Sequence, residues 1–213
     1  MSESPTPPRL LPLLGAAPPE RRDAARNREL LLDAAQQLVQ QHGARAVTMD
    51  AVAAAAGVGK GTVFRRFESR EGLMAAVLNH SETDWQAQVM SGPPPLGPGA
   101  EPWDRLLAFG RSRLETVLVH AELIRAAGRA GTRSTAAYSF IALHTRYLLG
   151  ELGVTGDLPI LATALLAPLE APILDQQVTV EGFPLERVYA GWVDLARRIV
   201  GREVTPPGGA ART

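Results

Sequence analysis

The chain has 213 residues and is 46% hydrophobic, which gives it enough apolar side chains to bury a core and excludes a wholly disordered protein. Its 22 basic residues balance 22 acidic ones, so overall charge cannot attract DNA or an anionic membrane, and any such contact needs a local excess of positive charge. The absence of cysteine excludes thiol catalysis, thiolate metal sites and disulfides.

Both ends of the chain are rich in proline or glycine. Residues 1–20 and 204–213 are therefore predicted to be disordered tails, because they offer little to bury against the cost of ordering. The apolar patch Leu10 to Leu14 is too short for the core of a signal peptide. The most apolar internal stretch, Leu158 to Ile173, contains three prolines and a glutamate and favours a buried helix over a membrane span. We expect a cytoplasmic protein with no membrane partner.

Apolar residues recur every three or four positions from Leu31 to Ile199, and no segment keeps the alternation of a strand, which predicts an all-α fold. Helices are predicted at residues 23–42, 49–56, 60–66, 70–90, 103–119, 121–128, 134–152, 158–179 and 184–201. The first helices are short and the later ones long. This contrast predicts an N-terminal domain over residues 21–72, with three helices, and a helical C-terminal domain over residues 73–203.

Residues 47–73 have the pattern of a helix-turn-helix. Thr48 stands where an N-cap belongs, and Asp50 adds negative charge near the positive end of the helix dipole. The alanines 53–56 keep the first helix slim, and Gly57 permits a sharp turn. The pattern predicts that the next helix, beginning near Lys60, lies in the major groove of DNA.

The side chains at the start of this helix suit contacts with DNA. Lys60 can neutralise a phosphate, Thr62 can donate to a phosphate or a base edge, and the methyl groups of Val63 can touch a thymine methyl. Glycine costs roughly 1 kcal/mol in a helix interior, and close approach to a nucleic-acid backbone would account for Gly59 and Gly61.

The local charge agrees with this interpretation. Residues 21–72 contain nine basic and six acidic side chains, an excess of three positive charges. Arg45, between the first two helices, could reach a phosphate or lie in solvent. Arg21 and Arg22 could enter a minor groove or belong to a solvated tail.

The run VTMDAVAAAAGVGKGTVFRRFESREGL resembles the DNA-binding domain of the tetracycline-repressor (TetR) family, and the resemblance covers about residues 24–75. The matching positions are Thr48, Val52, Ala53, Ala56, Gly57, Val58, Gly61, Thr62, Phe67, Ser69, Glu71 and Leu73. The resemblance implies phosphate contacts by Thr48, Phe64 and Arg70, with Lys60, Thr62 and Val63 facing the groove. Phe67 is expected to face inward.

Three departures from the family pattern concern the second helix. Gly59 replaces a frequent serine cap, Phe64 replaces a tyrosine and loses its hydroxyl, and Arg65 and Arg66 replace a less basic pair that could compensate for that loss. The predicted DNA-binding set is Arg45, Thr48, Gly59, Lys60, Thr62, Val63, Phe64 and Arg70.

A single recognition helix reads too few base pairs to find an operator, so we expect a homodimer on a palindromic site. The resemblance implies that residues 158–201 form the dimer interface, where Pro168 and Pro172 should bend a helix. It also implies release of DNA by a small effector, which we expect to be apolar because the stretches 106–109 and 136–149 carry few charges. Candidate ligand-binding residues are Trp103, Leu106, Phe109, Tyr138, His144 and Tyr147, although such aromatic residues also occur in cores.

The remaining patterns predict no further chemistry. The four histidines are too scattered to predict a metal site, and no nucleophile–base pair, phosphate loop or cofactor motif predicts an enzyme. Glu170 could sense a ligand, face outward or pair across subunits. We expect a transcriptional regulator, and in the first instance a repressor. The alternatives are a ligand-independent DNA-binding or nucleoid-associated protein of the same fold, an enzyme, or a structural helical module.

Overall fold

The computed structural model describes residues 19–128 and 135–202, and every regular element in these ranges is helical. This confirms the all-α prediction. The helices are α1 (Pro19–His42), α2 (Met49–Ala55), α3 (Lys60–Phe67), α4 (Arg70–Ser91), α5 (Pro102–Ala127), α6 (Thr135–Glu151), α7 (Leu158–Leu166), α8 (Ala171–Asp175) and α9 (Leu185–Val200). The predicted N-terminal tail overlaps α1 by two residues, and residues 1–18 and 203–213 lie outside the described ranges.

Side-chain caps fix the starts of three helices. Thr48 Oγ1 accepts a hydrogen bond from the backbone N–H of Ala51 at 3.1 Å, which begins α2 as the sequence predicts. Ser69 Oγ accepts from Gly72 N at 3.0 Å and begins α4, and Asp157 Oδ1 accepts from Ile160 N at 3.2 Å and begins α7. Between α2 and α3 the chain turns sharply at Gly57, whose φ of 66° suits glycine.

The first hydrophobic core lies among α1, α2, α3 and the first half of α4. Ala35 and Val52 are completely buried there, together with Leu73 and Met74 of α4. Leu123, near the end of α5, closes this core from the other side. The helix-turn-helix segment is thus held on a packed base.

The second core lies among the second half of α4 and helices α5 to α9. Phe109 of α5, Leu148 of α6 and Leu165 of α7 are 1% exposed or less. Trp192 of α9 is 2% exposed, and its Nε1 donates a hydrogen bond to the carbonyl oxygen of Leu165 at 2.9 Å. The boundary predicted near residue 72 falls inside α4, which contributes to both cores.

Helix α5 is a single helix of 26 residues, whereas the sequence predicted a break near residue 120. His120 is completely buried, its Nδ1 lies 3.3 Å from Glu82 Oε2, and its Nε2 lies 3.1 Å from Ser81 Oγ. The buried Arg113 also approaches this carboxylate, with Nη1 3.7 Å from Glu82 Oε2. These polar side chains of α5 pack against α4, where the helix was predicted to be interrupted.

The predicted helix at residues 158–179 is divided into four pieces. Helix α7 ends at Leu166, a 3-10 turn covers Ala167–Leu169, α8 follows, and a π-helical turn covers Gln176–Val180. The prolines at 168 and 172 have no N–H and cannot bond to the carbonyl one turn back, which accounts for the interruption. The bend was predicted, but the complete break was not.

The stretch Leu158–Val180 is long and apolar enough to cross a membrane, judged by length and composition alone. Within its most apolar 18 residues, only 28% is buried inside the structure. Ile160, Ile173 and Val180 are exposed to solvent, at 64%, 40% and 68%. An apolar surface of this extent can also be covered by a second protein molecule.

The contact between α5 and α9 yields a stability prediction. A Cβ added at Gly110 would overlap the six-membered ring of Trp192, which its hydrogen bond to Leu165 holds in place. We expect Gly110→Ala to lower the free energy of unfolding by on the order of 1–3 kcal/mol, measured by chemical denaturation.

The matched control is Gly150→Ala in α6, where the nearest atom to the added Cβ is Leu158 Cδ1 at 4.0 Å. Because alanine favours helix, this variant should be as stable as wild type or slightly more stable. Equal stability of the two variants would contradict the packing of α9 on α5.

Candidate nucleic-acid interface and apolar cleft

The turn between α2 and α3 is fixed by backbone hydrogen bonds. Gly57 N donates to Ala54 O at 3.2 Å, and Val58 N donates to Ala53 O at 3.0 Å. Val58, which follows the turn, is partly buried against the first core. This turn presents the first residues of α3 on the protein surface.

The exposed side of α3 carries a cation, a ring and two glycines. Lys60 is the only lysine in the chain; its Nζ lies 2.8 Å from Asp50 Oδ2 and 5.8 Å from the centroid of the Phe64 ring. Phe64 is 42% exposed, and Thr62 is half-buried. A Cβ at Gly59 or Gly61 would meet no atom within 4 Å, so the packing of the chain itself does not require glycine at either position.

Val63 does not belong to this surface. Its exposure is 0%, and it packs in the first core beside Phe67, which is 6% exposed and lies one turn further along the same face of α3. The prediction that Val63 faces the groove is therefore wrong, because its methyl groups cannot reach a base without opening the core. Phe67 faces inward, and the guanidinium carbon of Arg28 lies 5.5 Å from its ring centroid.

Arg70, at the start of α4, is engaged with the backbone that precedes α2. Its Nη2 donates to the carbonyl oxygens of Ala44 at 2.6 Å and Arg45 at 3.3 Å, and its Nε donates to that of Val47 at 3.0 Å. These bonds hold the backbone that carries the exposed side chains of Arg45 and Thr48. The side chains of Arg21 and Arg22 lie outside the described part of the structure.

A cleft of about 560 Å³ lies between the end of α4, the following loop, α5 and α6. It brings together two residues of the predicted ligand set, His144 and Tyr147. The residues that line it are Val89, Met90, Pro98, Arg105, Phe140, Leu143, His144 and Tyr147. The cleft is thus mainly apolar, with nitrogen groups from Arg105 and His144.

The other predicted ligand residues lie elsewhere. Leu106 and Phe109 are buried in the second core, although the Phe109 ring supports that of His144 at a centroid distance of 5.1 Å. Trp103 is half-buried beneath the guanidinium of Arg202, 4.8 Å away. The side chain of Tyr138 lies outside the described residues. Sequence reasoning missed Arg105, although its position four residues before Phe109 on the buried face of α5 was a usable signal.

Three potential metal ligands also meet where α1 packs on α4. His80 Nε2 lies 2.8 Å from Asp33 Oδ1 and 3.4 Å from Asp84 Oδ2, and one ligand atom of each lies within 4.8 Å of the others. No metal site was predicted, because the four histidines are scattered along the sequence; Asp33 is brought to His80 from a different helix. The side chains of Asp33 and Asp84 are 55% and 43% exposed. The contact of Asp33 with His80 joins α1 to α4, and this contact explains the cluster without a metal ion.

The state of His144 yields a prediction about pH. Burial, together with the positive charge of Arg105, lowers the pKa of His144 to about 4, from 6.5. Between these values the unfolded chain binds the additional proton, so the folded chain loses stability as the pH falls from 6.5 towards 4. We expect the free energy of unfolding of His144→Phe to fall less than that of wild type over this window, by on the order of 2 kcal/mol.

Denaturation at a series of pH values measures this difference. Carboxylates that titrate in the same range contribute equally to both proteins. Parallel pH profiles for wild type and His144→Phe would contradict a neutral, buried His144.

Comparisons with known proteins agree with this geometry. Residues 31–77 match the family model described as bacterial regulatory proteins, tetR family. A putative TetR-family transcriptional regulator from Rhodococcus sp. has a similar structure, with a TM-score of 0.59, 19% identity, and coverage of 83% of this chain and 99% of that chain. A TetR-family transcriptional regulator from Pectobacterium atrosepticum has a TM-score of 0.59 and 22% identity, with coverage of 88% of this chain and 99% of that chain.

A TetR transcription regulator from Haloarcula marismortui also has a TM-score of 0.59, at 14% identity, with 82% of this chain and 98% of that chain covered. Comparison with curated proteins finds no match. At identities below 25%, these solved structures show that the fold is shared. The residues that match the family model, 31–77, extend from within α1 to within α4.

Proposed function

We propose that this chain is an operator-binding repressor released by a small effector, and that it is a regulator of the tetR family, whose model matches residues 31–77. In this proposal a homodimer binds palindromic DNA in the cytoplasm. The helix α3 of each subunit enters a major groove.

The observation that carries the DNA-binding proposal is the open surface around Gly59 and Gly61. Neither glycine has a positive φ or a neighbour within 4 Å of an added Cβ, so the fold does not require glycine there, whereas close approach by a partner would favour it. A nucleic-acid backbone approaching the start of α3 is such a partner, and the exposed Lys60 beside it supplies the positive charge.

The proposed contacts follow from exposure. Arg45, Thr48, Lys60, Phe64 and the two glycines are exposed, and Thr62 is half-buried. Arg70 takes the role of a positioning residue, because it holds the backbone that carries Arg45 and Thr48. Val63 is not among the proposed DNA contacts, because it is buried.

The first test is the affinity and salt dependence of DNA binding, measured by fluorescence anisotropy on fragments selected from genomic DNA. We expect Lys60→Gln to weaken binding and to reduce the slope of log affinity against log salt by about one, because one phosphate contact is lost. Its pair with Asp50 is exposed, so its loss should leave thermal stability nearly unchanged.

Two variants serve as comparisons. Arg146→Gln removes one exposed charge from α6 and should change neither the affinity nor the slope. Arg70→Gln should lower DNA affinity and thermal stability together, because it breaks the bonds that hold residues 44–47. Unchanged affinity and slope for Lys60→Gln would contradict the placement of α3 in the groove. Since Lys60 is the only lysine, protection of its amine from acetylation by bound DNA gives an independent readout.

The proposal of a homodimer rests on the exposed apolar surface of α7 and α9. Ile160 of α7 is 64% exposed, and Thr163, Ala164 and Ala167 continue its face with small side chains. On α9, Gly191 is exposed and has no atom within 4 Å of an added Cβ. Small side chains let helices approach closely, and a two-fold axis would bring these same faces of two copies together.

The dimer is tested by sedimentation. We expect Ile160→Glu to shift the protein from twice the chain mass to the chain mass, because two-fold symmetry would bury two like charges near each other. Leu30→Glu is the matched control, since Leu30 is 53% exposed on α1, away from the proposed interface. If Ile160→Glu keeps twice the chain mass, the interface lies elsewhere.

The cleft between α4, α5 and α6 is the proposed effector site. Its walls of Met90, Phe140 and Leu143 support a largely apolar ligand. Val89 and Met90 belong to α4, whose other end packs under the helix-turn-helix. An effector that binds better to a conformer unable to bind DNA would release the operator with a coupling of about 1–3 kcal/mol.

A further inference from the structure

The cleft between α4, α5 and α6 contains a buried cation that forms no ion pair with any residue in the described ranges. Arg105 is 9% exposed, and its Nε is buried and forms no hydrogen bond with any described residue. Its guanidinium carbon lies 6.0 Å from the centroid of the Tyr147 ring. By contrast, Arg113, which is 1% exposed, lies 3.7 Å from the carboxylate of Glu82.

Such an arrangement is unfavourable in the free protein. Removing a charge from water costs free energy unless an opposite charge or hydrogen bonds compensate for it. A ring face compensates only in part, because a cation–π contact is weaker than a pair with a carboxylate. The cleft therefore favours any ligand that brings a negative charge to Arg105.

A second buried polar atom, Nε2 of His144, lies in the same cleft. It forms no hydrogen bond with a described residue, and His144 is 8% exposed. The ring is stacked on that of Phe140, at a centroid distance of 6.0 Å and an interplanar angle of 12°. Since its pKa is about 4, the imidazole is neutral at neutral pH and can donate or accept one hydrogen bond without adding charge.

The charge and the walls together restrict the ligand. One cation and one neutral imidazole suit a group with a single negative charge and two acceptor oxygens. The remaining lining is largely apolar and includes Met90, Phe140 and Leu143, so the body of the ligand must be hydrophobic. A cationic ligand would be repelled by Arg105, and a neutral one would leave it unpaired.

We propose that this cleft binds an organic carboxylate with an apolar body, with the carboxylate on Arg105 and His144 and the body against Phe140, Leu143 and Met90. This inference rests on the proposed effector site and names the chemical class of its ligand. Binding replaces the weak contact between Arg105 and Tyr147 by a charge-assisted hydrogen bond inside an apolar cleft.

Calorimetric titration of the full-length protein tests the proposal with ligands that differ only in their head group. Decanoate, decanol and decylamine form the aliphatic series, and 2-naphthoate, 2-naphthylmethanol and 2-naphthylmethylamine form the aromatic series. We expect one of the two carboxylates to bind about tenfold or more tightly than its alcohol, and the amines not to bind. The two series distinguish an aliphatic from an aromatic body.

Variants of Arg105 identify the group responsible. Arg105→Gln should abolish the preference for the carboxylate, and Arg105→Lys should keep part of it. Arg146→Gln, which removes an exposed charge from α6, should leave it unchanged. Thermal melts of each variant confirm folding. The wild-type comparison of head groups remains decisive even if Arg105→Gln does not fold.

Three results would overturn the inference: equal binding of carboxylate and alcohol, an unchanged preference in Arg105→Gln, or no binding by either carboxylate. The proposed function is judged separately, by DNA binding in the absence of ligand. If a carboxylate binds with the expected preference but does not release DNA, the ligand class stands and the role in release fails. If DNA binds but neither carboxylate does, only the ligand class fails.

Discussion

Helix α4 contributes side chains to both hydrophobic cores, and this shared helix is the constraint on which the rest of the structure depends. Leu73 and Met74 lie in the first core, and Trp85 and Val89 lie in the second. An α-helix satisfies its hydrogen bonds internally, so its 22 residues resist bending between the two cores. Since Val89 also lines the apolar cleft, occupation of the cleft acts on a helix whose beginning supports the DNA-binding surface.

The sequence was most informative where local chemistry determines the conformation. The cap at Thr48, the turn at Gly57 and the inward orientation of Phe67 depend on neighbouring residues, and the structure has each of them as predicted. The error at Val63 could have been avoided, because a residue four positions before an inward phenylalanine on a helix shares its face. Assigning Val63 by its fit to a thymine methyl overlooked that geometry.

The features that escaped prediction arise from contacts between distant parts of the chain. Two helices were predicted on either side of residue 120, whereas α5 is continuous there and His120 is buried against Glu82 and Ser81 of α4. Arg105 did not stand out among charged residues until α6 placed Phe140, His144 and Tyr147 around it. The sequence gives the spacing within each helix, but it does not say which helices meet, and the character of the cleft depends on that meeting.

The buried ion pair of Glu82 and Arg113, with His120 beside it, has a mechanical consequence. Burial alone would raise the pKa of Glu82, but the hydrogen bond with His120 and the charge of Arg113 outweigh it, so the pKa is lowered and the group is an anion at neutral pH. Sliding α4 along α5 would separate opposite charges where water cannot replace them, at a high cost in free energy. We therefore expect α4 and α5 to move as a rigid pair. A displacement of either helix would then be passed to the other without a shift in their relative position.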